Sequence, residues 1–157
     1  MGRFKWRQLL WLLIVGVTCA VRFTARAEIV YDNTKNYLTN SYGSKLEFGD
    51  EIRLSVASTN ITDFYFEYNG DFNPRGTETV RVRFYKNDGP DTEPGAQFIP
   101  APGTVIYDSG QLPIAPGINV MALSGLSVTV PQSFTWTVLF EGLGDAPDDV
   151  AHLLFYN

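Results

Sequence analysis

Four amide or carboxylate side chains, Asn87, Asp88, Asp91 and Glu93, fall within the seven residues of the loop NDGPDTE. Hard cations such as calcium take several oxygen ligands, so these four residues are the candidate metal ligands and calcium the candidate cofactor. The spacing does not follow an EF-hand, which alternates its ligands and closes on a glutamate. Asp-Gly-Pro is also ordinary turn chemistry, with Asp bonding nearby backbone and Pro fixing φ. A turn is therefore the first expectation and a cation site the second. The same two readings apply to Asp145, Asp148 and Asp149 in GLGDAPDD.

Catalysis has less to work with. His152 is the only histidine, and no G-x-S-x-G elbow supplies a nucleophile for it to activate. Asp63, Glu67 and Glu141 could pair for glycoside hydrolysis, but in a chain with 17 acids such pairs arise by chance. The expectation is a non-catalytic protein. Sugars stack on flat apolar rings, and Tyr37, Tyr42, Phe72 and Phe98 stand where loops are expected. Tyr42 and Phe72 are the candidate ligand-binding residues for a carbohydrate.

The elements that would hold these residues are strands. Period-two alternation recurs, and helical spacing is nowhere sustained over a dozen residues. The clearest alternations are Thr77 to Asn87, with Val80, Val82 and Phe84 on one face, and Ser133 to Glu141, with Phe134, Trp136, Val138 and Phe140. Six further strands are expected at Glu28–Asn33, Asp50–Ala57, Ile61–Tyr68, Thr104–Ser109, Ile118–Ser124 and Val150–Tyr156. Gly- and Pro-rich turns separate them, including Asn69-Gly70, Pro102-Gly103 and Pro116-Gly117. Eight short strands with this punctuation predict an all-β, antiparallel, jelly-roll-like sandwich. Pairing Ile61–Tyr68 with Thr77–Asn87 as a hairpin would set Phe66 opposite Val82, Glu67 opposite Arg81 and Tyr65 opposite Arg83.

Residues 1–27 have the three parts of an export signal in order: basic MGRFKWR, apolar LLWLLIVGVTCAV, and Ala25-Arg26-Ala27 for cleavage after Ala27. The apolar run of 13 residues is short of the roughly 20 that span a bilayer as a helix, so no stable membrane span is expected once the signal is removed. The domain proper is then 28–157, secreted or at the cell surface. All five of Arg3, Lys5, Arg7, Arg22 and Arg26 leave with the signal, and seven basic residues remain against 17 acidic ones. Such a surface repels phosphate backbones, which excludes nucleic acid as a partner. Cys19, the one cysteine, leaves as well, so stability must come from burial of apolar side chains.

The ordered set EIVYDN, EFGDEIRL, ITDFYFEYNG, VRVRFYKNDGP, EPGAQFIPAPGTVIYDSG and VPQSFTWTVLFEGL resembles the exported β-sandwich domain of bacterial PEP-CTERM-type surface proteins. The resemblance spans nearly all of 28–157. It implies a secreted, non-catalytic interaction module of the surface or extracellular matrix, with extracellular polysaccharide or other surface proteins as partners, and it brings no catalytic residues with it. Such proteins continue past the position of Leu154-Phe155-Tyr156 into a Pro-Glu-Pro sorting anchor, whereas this sequence stops at Asn157. A member without its anchor is the expectation.

Overall fold

The computed structural model describes residues 37–90 and 101–156. The expected signal, the strand expected at 28–33, and Asp91, Glu93 and Phe98 lie outside these residues. Six strands follow in chain order: β1 (Tyr37–Gly43), β2 (Phe48–Asp71), β3 (Thr79–Lys86), β4 (Val105–Pro113), β5 (Gly117–Glu141) and β6 (Val150–Tyr156). Every pairing is antiparallel. Among the described residues no helix is long and apolar enough to cross a membrane.

The two long strands do the work of four. The ladder between β2 and β5 skips register between Arg53 and Ser58 and again between Ile61 and Asp63. The N-terminal part of β2 (48–53) pairs with the C-terminal part of β5 (133–138), which also pairs with β3. The C-terminal part of β2 (58–70) pairs with the N-terminal part of β5 (117–131), and its last residues pair with β6. Counted in chain order as eight segments, one layer runs 1-8-3-6 and the other 2-7-4-5. That is the order of a jelly roll, two Greek keys closed face to face.

The alternation of residues thus predicts the fold but divides the strands differently. Asp50–Ala57 and Ile61–Tyr68 are one strand, as are Ile118–Ser124 and Ser133–Glu141. Between the first pair stand Ser58, Thr59 and Asn60, which lack the φ restriction of Pro or the freedom of Gly that would break a strand. In β5 the interruption is a bulge at Gly125, whose φ of 71° bends the ladder without ending it. The expected hairpin does not form. Phe66 opposes Met121, Glu67 opposes Val120 and Tyr65 opposes Ala122, while Val82 opposes Val138. In the jelly roll β5 enters the layer beside β3, so strands adjacent in sequence end up in opposite layers.

Alternation sorts the side chains. Val80, Val82 and Phe84 of β3 are fully buried, and Phe134, Val138 and Phe140 of β5 nearly so. Aromatic rings close the gap between layers: Phe64 lies 5.0 Å from Trp136 and 5.0 Å from Phe84, Phe66 5.6 Å from Trp136, and Tyr68 6.0 Å from Phe140. Edge-on and tilted pairs of this kind add about 0.5–1.5 kcal/mol each beyond the area they bury. No disulfide is needed where that many rings interlock.

Candidate functional site

The loop between β3 and β4 is closed at its root by the backbone. Lys86 N donates to Thr104 O at 2.8 Å, Gly103 N to Lys86 O at 2.9 Å and Gly89 N to Ala101 O at 3.0 Å. Asp88 finishes this closure, accepting from Thr104 N at 2.6 Å and Thr104 Oγ1 at 2.8 Å. Those two bonds from Thr104 hold the Asp88 carboxyl below its ordinary pKa, against a smaller opposing effect of burial. Asn87 is committed too: its Nδ2 donates to Ser133 Oγ at 2.9 Å, and its Oδ1 accepts from Thr135 Oγ1 at 2.7 Å. Of the four candidate cation ligands, two are hairpin-root residues and two, Asp91 and Glu93, lie outside the described residues. Among the described residues no three His, Cys, Asp or Glu side chains gather as metal ligands.

Of the two candidate ligand aromatics, the structure keeps one at the surface. Tyr42 is in β1 rather than a loop; its ring is 54% exposed and meets Phe48 edge-on at 5.0 Å. Phe72 is a correction. It is 8% exposed and belongs to the core, tucked under the end of β2 where a Cβ on Gly70 would lie 2.5 Å from its Cε1. Its position after a turn signal suggests a rim, but the chain folds inward there. The side chain of Tyr37 lies outside the described residues.

The arginines of β3 have carboxylate partners, though not the expected ones. Arg81 grips Asp108 with two bonds, Nε to Oδ1 at 2.8 Å and Nη2 to Oδ2 at 2.6 Å, and Arg83 Nε reaches Asp108 Oδ2 at 3.1 Å. Arg83 also pairs with Glu47, which accepts from the Tyr85 hydroxyl at 2.7 Å and from Thr137 Oγ1 at 2.5 Å. This network roofs the outer face of the 2-7-4-5 layer and leaves Thr135 and Thr137 buried beneath it. The bidentate Arg81, helped by Gly110 N and Arg83, holds the Asp108 carboxyl far below the usual carboxylate range, burial opposing. A carboxyl depressed in the folded state contributes stability above its unfolded pKa of about 3.9 and loses it as pH falls. Thermal stability is accordingly expected to drop from about pH 4 downward, and Asp108→Asn to flatten that drop, as melting curves at a series of pH values will register.

His152 faces the outer side of its layer, opposite Gly43 and Asn69, while Ala151 and Leu153 face the core. Its buried Nδ1 has no hydrogen-bond partner among the described residues. Asp63 accepts from Thr62 Oγ1 at 2.8 Å and Glu141 from Gln111 Nε2 at 3.2 Å. The three carboxylates considered for acid–base work thus lie on separate strand positions: Asp63 and Glu67 oppose the N-terminal part of β5, and Glu141 opposes Thr79 of β3.

A concave site forms instead at one end of the sandwich. A cleft of about 370 Å³ is lined by Lys45, Arg75, Phe140, Gly142–Asp145 and Asp149. Three connections meet there: the one from β1 to β2, the one from β2 to β3, and the one from β5 to β6. Asp149 is 3% exposed and takes Arg75 Nη2 at 3.1 Å, while its own N donates to Ala146 O at 3.1 Å. Arg75 is in turn positioned from below. Buried Glu78 accepts the backbone N–H of Arg75 at 2.6 Å, of Gly76 at 2.9 Å and of Thr77 at 3.1 Å. Burial pushes the Glu78 pKa up, but the N–H donors outweigh it and keep the carboxylate ionised below its ordinary value. Gly144 has a φ of 107°, and a Cβ there would overlap Asp149 Oδ2 and the Arg75 guanidinium, so another residue would be strained and would displace the ion pair from this position.

Asp149, grouped with Asp145 and Asp148 as a cation cluster on sequence, is therefore the partner of an arginine 74 residues away. Lys45 and Arg75 carry no sequence signal beyond their charge; a carboxylate three residues after Arg75 is the one local hint, because it can fold back onto the preceding amides. No family model, curated protein or solved structure matches this chain.

Proposed function

We propose that this chain is an exported, non-catalytic interaction module of the bacterial surface or extracellular matrix, and that its end cleft is the contact site. One observation carries the reading: in a chain with 17 acidic residues, Lys45 and Arg75 both line one cleft at the loop-bearing end of a jelly roll, beside Asp145 and the Asp149 that pairs with Arg75. The ends of β-sandwiches are where loops offer variable side chains on a rigid frame. Arg75 is half exposed although Asp149 holds it, so part of its guanidinium side chain stays open to solvent. Partners bearing carboxylates fit this site, whether on extracellular polysaccharide or on another surface protein.

A second reading, a carbohydrate-binding domain, is favoured by Tyr42. Its exposed ring touches Phe48, whose ring lies 6.2 Å from Phe140 in the cleft wall. A flat ring beside paired charges is what a sugar ring needs to stack and hydrogen-bond. Calcium belongs to that second reading as a stabiliser, with Asn87, Asp88, Asp91 and Glu93 as its proposed ligands.

An array of neutral and uronate-bearing polysaccharides, run with calcium and with chelator, tests both. Lys45→Glu is expected to weaken binding to uronate polymers at least tenfold, and Tyr42→Ala to do so only if stacking contributes. Affinity that survives Lys45→Glu removes the cleft from the account, and turnover of an arrayed glycan lost in Asp145→Asn would contradict a non-catalytic module.

A further inference from the structure

Apart from the end cleft, the structure has an edge that no described residue guards. In the 1-8-3-6 layer the N-terminal part of β5 is the outer segment, and among the described residues Gly117–Val130 pairs only with β2. Its other side presents N–H and C=O groups that no described strand meets. Edge strands in soluble proteins are commonly protected by charge, proline or a bulge, because an open edge templates another strand. Here the bulge at Gly125 protects only the residues after it, leaving Gly117–Ser124 as a straight, unprotected stretch.

Its chemistry is unusual for this chain. No charged residue occurs from Ser109 to Phe140. On the outward face Ile118 is 72% and Val120 61% exposed, and Tyr65, opposite Ala122, is 51% exposed. Together they make an apolar strip along an open ladder.

We propose that Gly117–Leu123 pairs antiparallel with the same segment of a second copy of this chain, joining two four-segment layers into one continuous sheet. Three features select a second copy. Antiparallel self-pairing is isologous, so one patch serves both partners. With the twofold axis at Val120, Val120 opposes itself and Ile118 opposes Ala122, which keeps the apolar strip of both copies on one face. Charge also points this way, since two acidic bodies approach most closely where neither carries charge.

The strand expected at Glu28–Asn33 is a poorer occupant. β1 lies at the far edge of the same layer, and β5's open side is four strand spacings away, about 19 Å. From Asn33 to Tyr37 the chain extends at most about 14 Å.

Sedimentation velocity over about 1–100 μM tests the proposal on the purified protein, its N-terminus fixed by mass spectrometry. A species of twice the monomer mass is expected, with Val120→Lys weakening association at least tenfold and Val105→Lys, an exposed position on β4, leaving it unchanged. As a second measure, Val120→Cys in a Cys19→Ser background is expected to oxidise to a covalent dimer, and Val105→Cys in the same background is not. A monomer throughout the range, or association unchanged by Val120→Lys, overturns the proposal. If Val120→Lys does not fold, the cysteine pair decides alone: failure of Val120→Cys to cross-link overturns it.

Discussion

Trp136→Ala is expected to cost about 3–5 kcal/mol of unfolding free energy, the range for removing a large aromatic from a core. The residue is 6% exposed and opposes Phe84 across the β3–β5 ladder. From the facing layer Phe64 meets it at 5.0 Å and Phe66 at 5.6 Å. These are rigid rings fixed by strands on both sides, so the surroundings can collapse only partly into the space left. Urea denaturation followed by circular dichroism gives the difference directly. Tyr65→Ala, on the outer face of the same layer as Phe64, is the internal standard. It is half exposed, and surface changes of that kind stay within about 0.5 kcal/mol. Equal losses for the two substitutions would mean that the inward and outward faces of β2 have been assigned wrongly.

Gly49→Ala has the second large effect, through backbone rather than side chains. Gly49 opposes Thr137, and a Cβ there would overlap the Trp136 carbonyl oxygen and sit 2.6 Å from Thr137 Cα. Those atoms belong to the central ladder and cannot rotate away as a flexible side chain could. Overpacking of this sort costs about 1–3 kcal/mol and more where backbone must move. The expected loss is therefore at least about 3 kcal/mol. Gly110 makes the opposite case. Its φ of 67° strains an alanine, but the space around it is open, so Gly110→Ala should cost only the left-handed penalty of about 1–2 kcal/mol. Denaturant midpoints of the two variants test the ranking, and a smaller loss at Gly49 would separate β2 from β5 at this point.

How far the sequence can be read depends on which physics is local. The alternation of Val80, Val82 and Phe84, and of Phe134, Trp136, Val138 and Phe140, is a property of single strands, and the structure buries all seven. The choice of partner strand is not local. Glu67 and Arg81 are equally good partners on paper, and only the crossing of β5 between layers decides that Arg81 goes to Asp108. The strand β1 has no local signature, because YLTNSYG mixes rings with polar residues and turn formers; it is held by the register it finds against β6.

The end cleft is less legible still. Its ion pair joins residues 74 apart in sequence, and the glycine that admits it looks like any other loop glycine. Phe72 shows the converse failure. A phenylalanine after a turn signal reads as exposed, and only the direction of the chain beyond β2 sends it inward.

The eight-segment jelly roll underlies the cleft, the open edge and both stability predictions, and backbone nuclear Overhauser contacts in the folded protein test it most directly. Cross-strand contacts are expected between Val82 and Val138, between Phe66 and Met121, and between Tyr42 and Leu153, the last joining the first described strand to the final one. Contacts between Phe66 and Val82 in their place would mean a simple hairpin of successive strands, and would contradict the fold described.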